Sequence, residues 1–259
     1  MPAMIQKINR LVESLLQGFK TWPHLEAVQK IPYQSYSEAL FEFASIKLDV
    51  FLEGSIPPQQ DRIQLFPPHE FLETSLAETK DRFFLESLPV HIEYKKTRDL
   101  EALLKGIRNE PFTLLQGSTY GLYRLLWGVP VFSRSGWVDQ QKQILESLPE
   151  AFWQWHLNNL KARLEHYVAD LGTALFHQDP LQFPISLAQL LETVTELVLS
   201  SHHQFLCPPE QRLRSLEALP NLPSGFMGLL NSLIRTDGAL DQERKLTVAR
   251  KLVEQLLSL

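Results

Sequence analysis

Two carboxylates stand out by residue type and setting. Asp49 lies in Ile46-Lys-Leu-Asp-Val-Phe-Leu-Glu-Gly54, and Glu93 lies in Val90-His-Ile-Glu-Tyr94. Both stretches are short, apolar and β-branched or aromatic, and both end in turn or charge signals, as buried strands do. Alternate strand residues share a face, so His91 sits on the side of Glu93 and Lys47 on the side of Asp49. Two acids on neighbouring strands of a small sheet are one way to hold a divalent cation, because hard cations take carboxylate oxygens. The competing reading is a pair of strand acids closed by salt bridges. His202 and His203 with Cys207 invite a zinc reading, but adjacent helical residues point about 100° apart, which separates the two rings. No Ser-His-Asp arrangement, phosphate-binding P-loop or dinucleotide fingerprint is present.

The elements that must position these acids come in two styles. Before residue 110 the pattern mixes periods. Ile5, Ile8, Leu11, Val12, Leu15, Leu16 and Phe19 recur every three or four positions, which predicts an amphipathic helix over residues 3–20, ended by Trp22-Pro23. Strands are expected at Leu25–Ile31, Ile46–Leu52, Arg62–Phe66 and Val90–Lys95, with a short helix over Asp99–Ile107. Ser37–Ala44 suits either a capped helix or a strand, and Phe71–Glu86 is open. Helical spacing follows over Leu114–Leu126, an extended piece over Trp127–Phe132 and a turn at Arg134-Ser-Gly136. Helices are then expected at 139–147, 149–176, 184–206, 209–218, 223–235 and 239–258, punctuated by Pro180, Pro184, Pro208-Pro209, Pro220, Pro223 and Asp237-Gly238. The fold class expected is α+β: a small mixed sheet in residues 1–115, then an all-α helical bundle in residues 116–259.

Composition narrows the function classes. Hydrophobic content of 44% and charged content of 21% over 259 residues describe an ordinary globular protein. A net charge of −5 argues against general nucleic-acid binding, which needs a basic face. The single cysteine, Cys207, cannot close an internal disulfide, and no apolar run nears the roughly 20 residues of a membrane span. These features imply a cytoplasmic protein without a membrane partner.

The later half resembles bacterial members of the polymerase-β-like nucleotidyltransferase superfamily. The resemblance rests on Val129-Pro-Val-Phe-Ser-Arg-Ser-Gly136, on Ala169-Asp-Leu-Gly-Thr-Ala-Leu-Phe-His-Gln-Asp179, and on His202 to Leu213 followed by Leu216-Glu-Ala-Leu-Pro-Asn-Leu-Pro-Ser-Gly-Phe226. These segments are similar, in order and spacing, to motifs of proteins that pair a small catalytic sheet domain with a helical domain, as aminoglycoside nucleotidyltransferases do. The family signature is a Gly-Ser turn, a strand with Asp-x-Asp and a third acid on a later strand, with two metals between the acids. Laid on this chain, the resemblance places Asp49 at the second acid and Glu93 at the third, as the candidate catalytic and metal-binding pair. Lys47 stands where the first acid belongs. Ser35 or Ser37 falls at the Gly-Ser turn, without glycine, and Arg212 lies beside the helical-domain lysine position, which Gln211 occupies. Ser35, Ser37, Lys47 and Arg212 are thereby the implied nucleotide-binding residues. Leu114-Leu-Gln-Gly-Ser-Thr-Tyr-Gly121 matches the family turn locally, yet no Asp-x-Asp follows it.

An ammonium among metal-binding carboxylates repels cations by about 4 kcal/mol per close unit-charge pair at an effective dielectric of about 20. Lys47 and the missing glycine therefore imply a degenerate site. The expectation is a nucleotidyltransferase-like protein without catalysis or cofactor, keeping an interdomain cleft for a nucleotide or small molecule. One alternative is an active Mg²⁺-dependent transferase with a rearranged metal site. Another is a non-enzymatic helical interaction module, such as a homodimer.

Overall fold

The computed structural model describes residues 2–32, 44–109, 118–236, 238 and 240–258. The chain divides into two compact units, one of residues 1–109 and 121–147, the other of residues 110–120 and 148–259. This division differs from a boundary at 115 over residues 121–147, which pack with the sheet-bearing unit. The cause is a strand that local sequence could not assign to a sheet: Val129–Ser133 pairs with Leu25–Lys30.

In the first unit, helix α1 spans Pro2–Phe19 and strand β1 spans Leu25–Lys30. Strand β2 covers Ile46–Leu52, as its β-branched and aromatic run requires. Residues 62–66 are not a strand: helix α2 covers Gln59–Ile63. Pro57-Pro58 sets an extended entry to that helix, and the helical turn carries the Arg62 guanidinium inward to Asp81. A hairpin of β3 (Glu70–Thr74) and β4 (Lys80–Leu85) follows, then β5 (Leu88–Lys96) and helix α3 (Thr97–Asn109). Helix α4 (Tyr120–Trp127), strand β6 (Val129–Ser133) and helix α5 (Trp137–Glu146) complete the unit.

The sheet order is β3-β4-β5-β2-β1-β6. Only β2 and β5 pair in parallel; the other neighbours are antiparallel. Alternation gives the two faces different characters. Leu48 and Val50 of β2 join Val90, Ile92 and Tyr94 of β5 on the apolar face, where α1 contributes Leu11, Leu15 and Phe19 to one continuous core. Lys47, Asp49, His91, Glu93 and Lys95 occupy the opposite face by the same period of two. Beneath the apolar face lies a buried ionic staple. Arg62, wholly buried, donates from Nε and Nη2 to the two Asp81 oxygens at 2.9 and 3.0 Å, and its Nη1 donates to the Pro57 carbonyl at 2.6 Å. Tyr94 and Thr74 hydroxyls donate to the same carboxylate at 2.8 and 2.7 Å.

The second unit is helical. Helix α6 covers Glu150–Phe176 and α7 covers Gln182–Ser200. A 3-10 turn at Pro209–Gln211 leads into α8 (Arg212–Glu217), α9 (Phe226–Ile234) and α10 (Gln242–Leu257). The C-terminal part of α7 is buried on every side from Thr193 to Ser200, which makes it the central helix of the unit. That helix stops six residues short of the expected 206, because the chain turns at His203, whose φ is +54°, to lay Phe205, Leu206 and Cys207 into the core. The side chain of Asp241 caps α10 by accepting from the Arg244 amide at 2.8 Å.

Candidate functional site: an ionic cluster on the polar face of the sheet

Register sets the site. Asp49 lies directly opposite Glu93 across the parallel β2/β5 pair, and Lys47 lies opposite His91. On the far side of Asp49 comes Gln29 of β1, and on the far side of Glu93 comes Lys80 of β4. One lateral row thus reads Gln29, Asp49, Glu93, Lys80 across four strands. The neighbouring row holds Lys47, His91 and Arg82.

Helix α4 crosses this face and delivers Arg124. The guanidinium reaches both acids. Its Nε and Nη2 donate to the two Asp49 oxygens at 3.2 and 2.5 Å, and its Nη1 donates to Glu93 Oε1 at 2.7 Å. Lys95, two positions beyond Glu93 on the same face, donates to Asp49 Oδ2 at 2.8 Å and stands 3.8 Å from Glu93 Oε2. Lys80 lies 3.3 Å from Glu93 Oε1. Asp49 is wholly buried and Arg124 is 6% exposed, so the bonds between them are charge-assisted and shielded from water, whereas Lys80 is half-exposed. Two carboxylates therefore face three cations. Burial alone would raise the Glu93 carboxyl, but Arg124, Lys95 and Lys80 outweigh it and hold it below the usual carboxylate range. His91 is pushed below the usual imidazole range, first by burial and then by Arg82, Lys47 and Arg124, with Glu93 opposing.

The position of Arg124 is itself determined. Gln29, wholly buried, donates its amide to the carbonyls of Leu125 and Gly128 at 3.2 and 3.1 Å, which caps the end of α4. Lys142 of α5 donates to the same Gly128 carbonyl at 2.7 Å. Gly128 is required: a Cβ there would stand 2.7 Å from the Arg124 carbonyl and 3.0 Å from Gln29.

The expected acid pair is thus brought together, and Lys47 lies one row away. Ser35 and Ser37 lie outside the described residues, as do most of the ambiguous stretch 37–44 and the stretch 110–117. Arg212 belongs to the second unit, where it donates to Glu192 at 2.7 Å. In that unit His202 is held by the Val198 and Pro220 carbonyls, while His203 stacks on Trp153 and pairs with Glu150 at 3.1 Å. The oxygens of the acid pair face cations of the chain itself. They already accept from Arg124 and Lys95, and no group of three metal-ligating side chains occurs among the described residues. The decisive residues that sequence reasoning missed are Arg124, Lys95 and Gln29. Lys95 was findable, since a residue two past Glu93 in a strand shares its face. Arg124 gave a weaker signal, a cation between Leu122 and Leu125 in an apolar helix.

No family model matches the chain, and no curated protein matches it. Among solved structures, a nucleotidyltransferase-like protein from Exiguobacterium sibiricum 255-15 is similar at 13% identity and a TM-score of 0.48, over 96% of this chain and 74% of that one. Among the described residues no helix is long and apolar enough to cross a membrane.

Proposed function

We propose that this chain is a nucleotidyltransferase-like protein that performs no nucleotidyl transfer and binds an anionic ligand, a nucleotide among the candidates, without a metal ion. The observation that carries the reading is Arg124. Its guanidinium occupies the space between Asp49 and Glu93 with three N–H donors, where a metal-dependent transferase needs open carboxylate oxygens. An active enzyme with a rearranged metal site would have to break these bonds first, and removal of one partner from a buried pair costs about 3–5 kcal/mol. The excess of cations over acids on this face supports attraction of phosphate rather than of Mg²⁺.

The test uses ATP, GTP, CTP and UTP with Mg²⁺, measuring pyrophosphate release and, separately, thermal shift in Mg²⁺ or in EDTA. The reading expects background pyrophosphate release and a nucleotide-dependent rise in Tm that survives EDTA and shrinks in Arg82→Glu. Mg²⁺-dependent pyrophosphate release abolished by Asp49→Ala would establish the active-enzyme reading in its place.

A further inference from the structure

A cavity of about 690 Å³ opens in the first unit at the carboxyl ends of β2 and β5, next to the ionic cluster, whose Lys95 is also on its lining. That volume lies within the range of small-molecule sites, about 300–1,000 Å³. Three elements build its walls. Ile56 comes from the loop after β2, Leu76 from the β3–β4 turn, and Leu100 and Leu103 from α3. The Arg62–Asp81 staple fixes its floor, because Tyr94 lines the cavity while its hydroxyl is held by Asp81.

Two features go beyond what folding needs. Leu76 stands fully exposed at the tip of the turn, an apolar side chain that the fold places at the mouth of a cavity whose walls mix apolar with polar and charged residues. Lys96 also lines the cavity, is half-buried, and forms no ion pair or hydrogen bond with the described residues through its side chain. Its neighbour Lys95 is committed to Asp49. The two acids on the lining are less able to answer Lys96. Asp99 is exposed and lies 3.3 Å from Arg98, and Glu78 is exposed on the turn, where water screens its charge.

We propose that this cavity binds an amphipathic carboxylate: an aliphatic chain against Ile56, Leu76, Leu100 and Leu103, with its anionic head on the Lys96 ammonium. The inference does not depend on the reading of the ionic cluster: Lys95, shared by both, is already bound to Asp49, and the head group is assigned to Lys96.

The test titrates the full chain with octanoate, decanoate, decanol and decyltrimethylammonium below their micelle concentrations, by calorimetry and by NMR shift mapping. Each further buried methylene should strengthen binding by up to about fourfold, so decanoate should bind more tightly than octanoate. Leu76→Ser, at a fully exposed position that the fold does not use, should weaken decanoate and decanol alike. Lys96→Gln should weaken decanoate by about fivefold and leave decanol unchanged. The proposal is overturned by absence of decanoate binding at millimolar concentration, or by equal affinity for the cationic amphiphile. Insensitivity to both substitutions, or shifts that map elsewhere in the chain, would overturn it as well.

Discussion

Replacing Arg124 by methionine removes the guanidinium from two carboxylates while keeping most of the side-chain volume. Three charge-assisted bonds disappear, at 3.2, 2.5 and 2.7 Å. Breaking a buried pair costs about 3–5 kcal/mol, because the remaining charge is left without water or partner. Here the loss falls near the lower bound, about 3 kcal/mol: Lys95 stays on Asp49 at 2.8 Å, and the Glu93 side chain is 24% exposed. Against a typical stability of about 5–15 kcal/mol, that is a large fraction. Urea unfolding followed by tryptophan fluorescence reports on both units, through buried Trp22 and Trp137 in the first and buried Trp153 in the second. The expected result is a lower midpoint at unchanged m-value. Pairing the change with Asp49→Asn should recover about 2 kcal/mol relative to the sum of the single variants. Arg124→Lys should rescue little, since one ammonium cannot span two carboxylates as a planar fork does. Glu93 adds a pH signature. Its folded-state carboxyl lies below its unfolded value of about 4.3, so its contribution is present above that pH and lost as pH falls through the folded value. Wild-type protein should therefore lose more stability on acidification than Arg124→Met does. A loss below about 1 kcal/mol, with additive double-variant energies, would show that the cluster is not a buried lock, and the proposed function would lose its basis.

Other outcomes follow from the same bonds. Arg62→Met should lower stability by about 3–5 kcal/mol, read as a fall in Tm, because Asp81 is wholly buried beneath it. Glu196→Ala should cost about 1–3 kcal/mol in urea unfolding, since the Thr119 amide and hydroxyl lose the Oε1 acceptor they reach at 2.5 and 2.8 Å. Burial would raise that carboxyl, but His156 and Thr119 hold it low, so the wild-type advantage should vanish as pH falls through the folded value. Gly128→Ala should destabilise the first unit and shift the NMR signals of Arg124 and Gln29, which a new Cβ would crowd. Lys47→Asp should leave pyrophosphate release at background, because Arg124 and Lys95 still fill the acid pair.

Much of the framework was legible in local sequence. The period of three to four in residues 5–19 gives α1, and the β-branched run at 46–52 gives β2. The prolines and glycines bracket the helices of the second unit, since they act through dihedrals that need no distant partner. Alternation also put Asp49 beside Lys47 and Glu93 beside His91 before any pairing was known. What local pattern could not supply was the partner of each strand and the contents of the space between them. Arg62 reads as part of an apolar strand until Asp81 is present to receive it in a helical turn. In sequence the two acids read equally as metal ligands or as salt-bridged strand acids, until α4, 75 positions beyond Asp49, lays Arg124 across them. The physical reason is that a carboxylate specifies only a need for positive charge. Which cation answers it, an ion or a side chain, is decided by packing that residues far apart in the chain create together.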